Sequence, residues 1–314
     1  MKNKFVPPKN ISIGIVGNIA KSSSCETAGA LVKILEERKI DFRVQKEIAE
    51  QMKTNGKSYD VTKFSLPSSE IAGCSDVIVS LGGDGTILRT ASLVGKTGKP
   101  ILGVNLGKLG FLAELNFDEL RNSIDELIEG KFNVEERTAL QATFQKDSRT
   151  SVVFALNDIV IDKAGSPRMI DLETYVDAEY LITYRADGLV LSTPTGSTGY
   201  SLSTGGPIIS PESQVIAISP ISPHTLTARP VIVPDNSNIH IVVQPGSKSP
   251  LGEYLAGSQV MMTADGQTSY LLPLPAEVNV SLAAHKIKLL RKSRNGFFNL
   301  LRTKLMWGVD VRSS

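Results

Sequence analysis

The stretch Gly82-Gly83-Asp84-Gly85-Thr86 constrains the fold of this chain more than any other. It follows Val77-Ile78-Val79-Ser80-Leu81, an apolar run that reads as a buried strand. It precedes residues 87–94, whose apolar spacing suits a helix. A strand, a tight glycine turn and a helix N-terminus aim backbone N–H groups and the positive end of a helix dipole at one spot, where a phosphate can sit. Glycines also let a ligand approach the backbone closely. Gly82, Gly83, Gly85 and Thr86 are therefore candidates for a phosphate-donor turn. Asp84 is the anion among them. It either caps the helix, as Asp often does, or performs chemistry, binding a metal on the phosphates or taking a proton from an attacking hydroxyl.

The turn lies within an alternation of strands and helices. Residues 11–17, 41–45 and 100–105 read as further buried strands. Residues 26–39 and 117–129 have the spacing of amphipathic helices, and Gly130 is placed to end the second. Residues 47–73 are polar, with turn signals at Asn55-Gly56 and Pro67, and predict a short helix and loop. A second glycine-rich turn, Gly107-Lys108-Leu109-Gly110-Phe111-Leu112, follows the strand ending at Asn105. The pattern predicts an α/β, Rossmann-like N-terminal domain with a parallel sheet over residues 1–132. Residues 133–290 are different in texture. Runs at 151–162, 169–184, 215–219, 231–233, 239–243, 259–263 and 278–282 are strand-like, which predicts a mostly β second domain. Within a last segment, 291–314, residues 297–307 read as an amphipathic helix expected to return to the first domain.

Composition narrows the function. The 314 residues are 41% hydrophobic, enough for two domains with real cores. The 34 basic and 32 acidic residues form no long single-sign run, so the basic stripe of a nucleic-acid binder is missing. No apolar run approaches the ~20 residues of a membrane span. Residues 11–20, after Lys2, Lys4 and Lys9, loosely mimic a secretion signal, but Gly14, Gly17 and Asn18 interrupt them and a strand is the better reading. Cys25 and Cys74 lie far apart with no CxxC, as expected of reduced thiols in a cytoplasmic protein. His224, His240 and His285 have no metal-ligand spacing.

The second domain carries four polar motifs. Asn157-Asp158 interrupts the strand pattern 152–161, as a β-bulge, a solvent-facing pair or a recognition element. An Asn both donates and accepts, which suits an adenine edge, and an Asp accepts from ribose hydroxyls. Arg185-Ala186-Asp187-Gly188 leads into residues 193–207, rich in glycine and hydroxyl side chains around Tyr200. Such a block is either a linker or a backbone brought close to a flat polar ligand. Residues 223–230 hold His224, and a lone His is more often structural than catalytic. Asp265-Gly266-Gln267 reads as a hairpin turn, since Asp-Gly favours type I′.

In order and spacing, the glycine turn, Leu156-Asn157-Asp158, residues 185–207, 223–230 and 297–308 resemble the NAD kinase family, over residues 75–308. The glycine turn alone is shared with lipid kinases and phosphofructokinases; its combination with residues 187–207 carries the resemblance. The resemblance implies an enzyme that transfers a phosphoryl group from ATP or polyphosphate to the adenosine-ribose 2′-hydroxyl of NAD, giving NADP. It assigns Asp84 as proton acceptor. It places Asp84, Gly85, Asn157, Asp158, Arg168, Arg185, Asp187, Thr198, Gly199, Tyr200, Ser201, Leu202, Ser203 and Gln267 against the dinucleotide. Mg²⁺ is then held through the donor phosphates rather than by protein ligands. A homodimer or homotetramer is implied as well. Two positions depart from the family pattern. Asp158 stands where Glu is common, one methylene shorter, and Gly199 stands where Ala is usual. The competing readings are a lipid kinase of the diacylglycerol or sphingosine type, a non-catalytic dinucleotide sensor, and a structural protein without a ligand.

Overall fold

Val77–Leu81 and Ile101–Asn105 are buried at every position, which requires cover on both faces of their sheet. The computed structural model describes residues 3–54, 61–107, 110–166, 168–246, 259–292 and 296–306. Asn55-Gly56, Lys108-Leu109 and Trp307-Gly308 lie outside the described residues. The first unit is built on a nine-stranded sheet. Its order is Asn3–Lys4, Asn133–Arg137, Ile287–Arg291, Ile101–Asn105, Val77–Leu81, Ser12–Gly17, Asp41–Gln45 and Ser65–Leu66, with Leu115–Asn116 also paired to Ile101–Asn105. The strands from Ile287–Arg291 to Ser65–Leu66 run parallel.

Ser12–Gly17 extends the sheet outward through Asp41–Gln45, whereas Val77–Leu81 extends it the other way through Ile101–Asn105. The chain thus reverses its direction of travel between Ser12–Gly17 and Val77–Leu81. Loops at the carboxyl ends of strands flanking such a reversal are where open α/β sheets bind ligands. Gly82-Gly83-Asp84-Gly85 is that loop. The helix predicted over 26–39 runs Ser22–Glu37 and buries Ala28, Leu31, Val32 and Leu35. The helix predicted over 117–129 begins with a 3₁₀ turn at Phe117–Glu119, closed by an Asn116–Glu119 capping box, and continues as Leu120–Ile128. Gly130 follows at φ +67, the left-handed conformation that ends helices.

The second unit contains two six-stranded antiparallel sheets. Leu172, Ile241, Val243 and Val280 from one sheet and Ile159, Leu189, Leu191 and Val260 from the other share one buried core. The single run expected over 151–162 is two strands. Arg149–Ala155 belongs to the first sheet and Asp158–Asp162 to the second, so the chain changes sheets at Leu156-Asn157. It changes sheets again at Asp187, between Glu179–Ala186 and Gly188–Ser192.

The units divide at Glu136/Arg137 and Lys286/Ile287, not at 132/133 and 290/291. Asn133–Arg137 pairs with Asn3–Lys4, and Ile287–Arg291 pairs with Ile101–Asn105, so both strands belong to the first sheet. Nothing in a short strand announces which sheet it will join. The helix Phe297–Leu305 also groups with the first unit, where Lys304 Nζ lies 4.8 Å from the centre of the Phe111 ring.

Candidate functional site

The glycine turn is shaped by its own close contacts. Gly82 has φ +155, and a Cβ there would fall 2.2 Å from Thr86 Oγ1, so only glycine fits. The Gly82 N–H donates to the Val104 carbonyl at 2.9 Å, tying the turn to the neighbouring strand. Gly83 is the residue preceding the helix Asp84–Val94, and its carbonyl accepts from the Thr86 and Ile87 N–H groups. The N–H groups of Asp84 and Gly85, at the first two helical positions, have no preceding carbonyl within the helix, which suits them to phosphate oxygens.

Asp84 does not cap its own helix. Its Oδ2 accepts from the Phe111 N–H at 2.7 Å and its Oδ1 from the Leu112 N–H at 3.0 Å. The carboxylate fastens the second glycine-rich turn, a partner 27 and 28 residues away. Gly110 makes room for it, because a Cβ at Gly110 would lie 1.8 Å from Asp84 Oδ1. Arg291 grips the same segment from its other side. It donates to the Phe111 carbonyl at 3.0 Å, to Glu114 at 3.2 Å and to Glu135 at 3.0 Å. Burial pushes the Glu114 carboxyl above the usual range, opposed by the Arg291 charge and the Lys292 N–H. A carboxylate offers about four lone-pair positions. Two hold the loop, and two remain to accept a proton from a hydroxyl.

In the second unit, the sheet change at Leu156-Asn157 builds a corner held on both sides. The Asp265 carboxylate accepts three consecutive N–H groups, from Leu156 at 2.8 Å, Asn157 at 2.6 Å and Asp158 at 3.1 Å. Thr193 Oγ1 donates to the Leu156 carbonyl at 2.6 Å, and the Thr193 N–H donates to the Asn157 carbonyl at 2.9 Å. Gly196 presses on this corner, since a Cβ there would lie 2.2 Å from the Asn157 carbonyl oxygen. The corner's backbone is thus satisfied while its side chains stay available. Asn157 Oδ1 is buried without a hydrogen-bond partner. Burial, then the Asp265 charge, pushes the Asp158 carboxyl up to about 7. A methyl at Gly199 would sit 3.5 Å from Asn157 Nδ2 and 3.9 Å from Asp158 Oδ2. The glycine therefore opens space beside both polar side chains.

The remaining candidates fall in two places. Thr198 and the helix Tyr200–Ser203 follow Gly196 at the same corner, with Tyr200 45% exposed and Ser201 buried against Ser219. Gln267 is exposed on the turn that carries Asp265, and the hairpin expected from Asp-Gly is present, with Asp265 and Gly266 at φ +53 and +63. Arg168, Arg185 and Asp187 lie at the opposite end of the strands. Asp158 pairs with Ser192 but Asp162 pairs with Gly188, so the two ends are roughly 13 Å apart at ~3.3 Å per residue. There Asp187 pairs with Lys163 at 2.7 Å, and Arg185 forks onto Asp171 with two 2.9 Å contacts. His224 joins that end through its N–H, which donates to the Arg185 carbonyl.

Asp265 and Gly110 carry functional geometry that sequence reasoning did not assign. The signal for Gly110 was a second glycine-rich turn at a strand end. For Asp265 it was an acid at a turn in a domain with a polar corner to be held.

Residues 13–132 match the model of the ATP-NAD kinase N-terminal domain, and residues 156–292 match that of the ATP-NAD kinase C-terminal domain. An NAD kinase of Geobacter sp. (strain M21) is 40% identical over 297 residues, covering 94% of this chain and 98% of that protein. One from Bacteroides fragilis is 36% identical over 306 residues, covering 96% and 100%. Yeast NADH kinase, solved with NADH, superposes with a TM-score of 0.86 at 28% identity, covering 100% of this chain and 97% of that one. An NAD kinase from Archaeoglobus fulgidus, solved with ATP, shares the fold with a TM-score of 0.72 at 22% identity, covering 94% and 99%.

Proposed function

The chain belongs to the NAD kinase family, and on that premise we propose how its residues divide the reaction. It is a phosphotransferase, which replaces the sensor and ligand-free readings; the family's acceptor replaces the lipid. ATP binds its phosphates against the Gly82–Thr86 turn, using the N–H groups of Asp84 and Gly85. Asp84 accepts the proton of the adenosine-ribose 2′-hydroxyl as the phosphoryl group arrives. Asn157, Asp158, Thr198, Gly199, Tyr200, Ser201, Leu202, Ser203 and Gln267 contact NAD at the sheet-change corner. Arg168, Arg185 and Asp187, at the other end of those strands, contact a different part of a dinucleotide. The observation that carries the reading is the Asp84 carboxylate, anchored by two amides beside a helix N-terminus with lone pairs to spare.

ATP as donor is supported by the family description and by the ATP complex of the archaeal neighbour. Dinucleotide as acceptor is supported by the NADH complex of the yeast neighbour. Among the described residues no three His, Cys, Asp or Glu side chains are grouped to hold a metal ion. Mg²⁺ would enter on the phosphates of ATP, because phosphoryl transfer needs their charge neutralised. There the cation neutralises phosphate charge and leaves the protein to position the reactants. Among the described residues no helix is long and apolar enough to cross a membrane. Neither Cys25 nor Cys74 forms a disulfide, in keeping with the cytoplasmic placement proposed here. The homodimer or homotetramer that the resemblance implies is read by light scattering.

The deciding experiment supplies NAD or NADH with Mg²⁺ and either ATP or polyphosphate, and measures NADP or NADPH by chromatography. We expect product with ATP; no product with any donor would end the reading. Gly196→Ala tests the corner. A methyl 2.2 Å from the Asn157 carbonyl oxygen must displace Asn157, so KM for NAD should rise by roughly 10-fold while kcat changes far less. An unchanged KM would take Asn157 out of the acceptor site.

A further inference from the structure

We infer that Asp265 is a positioning residue for the acceptor: it presents Asn157 and Asp158 to NAD by gathering the three backbone N–H groups of their corner onto one carboxylate. The inference rests on the reading that Asn157 and Asp158 bind NAD, and deepens it. Asp265 stands at the tip of the hairpin formed by Gln259–Ala264 and Thr268–Pro273, more than 100 residues beyond the corner it holds. Its left-handed backbone, φ +53, is followed by Gly266 at φ +63. Asp265 Oδ1 accepts from both Asn157 and Asp158, and its Oδ2 accepts from Leu156. Its own N–H returns to the Asp158 carbonyl at 3.0 Å. Four hydrogen bonds thus join one residue to three consecutive residues at the point where the chain changes sheets.

This arrangement has a chemical consequence beyond holding a bend. Three convergent amides form a concavity that otherwise attracts an anion. Asp265 fills it, so no phosphate of the dinucleotide competes for the corner's backbone. What the corner leaves without a backbone partner is side chain, namely the Asn157 amide, with its buried and unpartnered Oδ1, and the buried Asp158 carboxyl. These groups suit a base edge or sugar hydroxyls, not a phosphate. Asp265 thereby selects which portion of NAD the corner receives.

The two carboxyls also sense each other. Asp265 is the charged group that acts on Asp158, adding to the larger effect of burial. Burial raises Asp265 too, but its three amide donors oppose the rise. Burial and the Asp265 charge together hold the Asp158 carboxyl up, so Asp158 gains a proton as pH falls through about 7. Accepting hydrogen bonds from ribose hydroxyls requires ionised Asp158. kcat/KM for NAD should then fall on the acid side of about 7.

The test compares wild type, Asp265→Asn and Asp158→Asn in the presence of Mg²⁺ and ATP, measuring kcat and KM for NAD across pH. An amide at position 265 keeps one acceptor oxygen for three N–H groups and removes the like charge. KM for NAD should rise about 10-fold or more with kcat within about threefold, and the acid limb should move to lower pH. Asp158→Asn leaves all three backbone bonds in place and should remove the limb near 7. An Asp265→Asn protein with wild-type KM and an unmoved acid limb overturns the inference. So does one that loses its fold, because the carboxylate then supports the domain and not the corner. A limb near 7 that survives in Asp158→Asn overturns it independently. Calorimetric titration with NAD alone reads the same corner without turnover, so a failure of the kinase reading shows itself separately.

Discussion

Asp84→Asn should lower kcat by roughly 10³-fold while leaving the Kd for NAD within a few-fold of wild type. Two losses combine in this variant. The amide has no basic oxygen to take the 2′-hydroxyl proton. It also offers a single carbonyl oxygen where the carboxylate holds two N–H groups, from Phe111 and Leu112. Its NH₂ then meets one of those N–H groups donor to donor, at a cost of about 1–3 kcal/mol. A small fall in Tm should accompany the fall in kcat. Chemistry is measured by single-turnover formation of NADP and binding by calorimetry. A variant that kept near wild-type kcat would remove Asp84 from its role as proton acceptor. One that lost NAD binding in proportion to kcat would make it a binding residue instead.

The glycine turn and its flanking strand and helix were legible because local pattern and chemistry agree there. Five buried residues, a forced glycine and a helix N-terminus leave little choice of geometry. The sheet changes in the second unit were not legible. Residues 151–162 read in the sequence as one β-rich run, and only pairing with different partners shows that Leu156-Asn157 divides them. Ile287–Arg291 was misplaced for the same reason: an apolar strand states that it will be covered, not by which sheet. The polar motifs stood out as candidates in the sequence, yet their grouping was hidden. Asp187 and Asp158 fall at opposite ends of one antiparallel pair because Gly188 pairs with Asp162 and Ser192 with Asp158. Asp265 escaped notice because its partners are backbone groups, which every residue possesses. A carboxylate that binds amides leaves no complementary side chain in the sequence to reveal it.

Gly110→Ala tests the position of Asp84 without altering its chemistry. The new Cβ would fall 1.8 Å from Asp84 Oδ1 and 2.5 Å from its Cγ, closer than real Cβ contacts come. Relief requires either the carboxylate or the 110–112 segment to move by roughly 1 Å, a displacement that can cost about 10²-fold in rate. The loop is not free to take up the whole shift, because Arg291 holds the Phe111 carbonyl at 3.0 Å and Glu114 at 3.2 Å. Asp84 should therefore move, and kcat should fall about 10²-fold with the carboxylate still present. Because the corner proposed to bind NAD belongs to the other unit, KM for NAD should change by less than kcat. The comparison with Asp84→Asn separates the two contributions of that residue. If Gly110→Ala matches the amide variant in kcat, orientation supplies most of what Asp84 does. If it retains wild-type kcat, the loop yields freely, and the two amide contacts to Asp84 have no bearing on proton transfer.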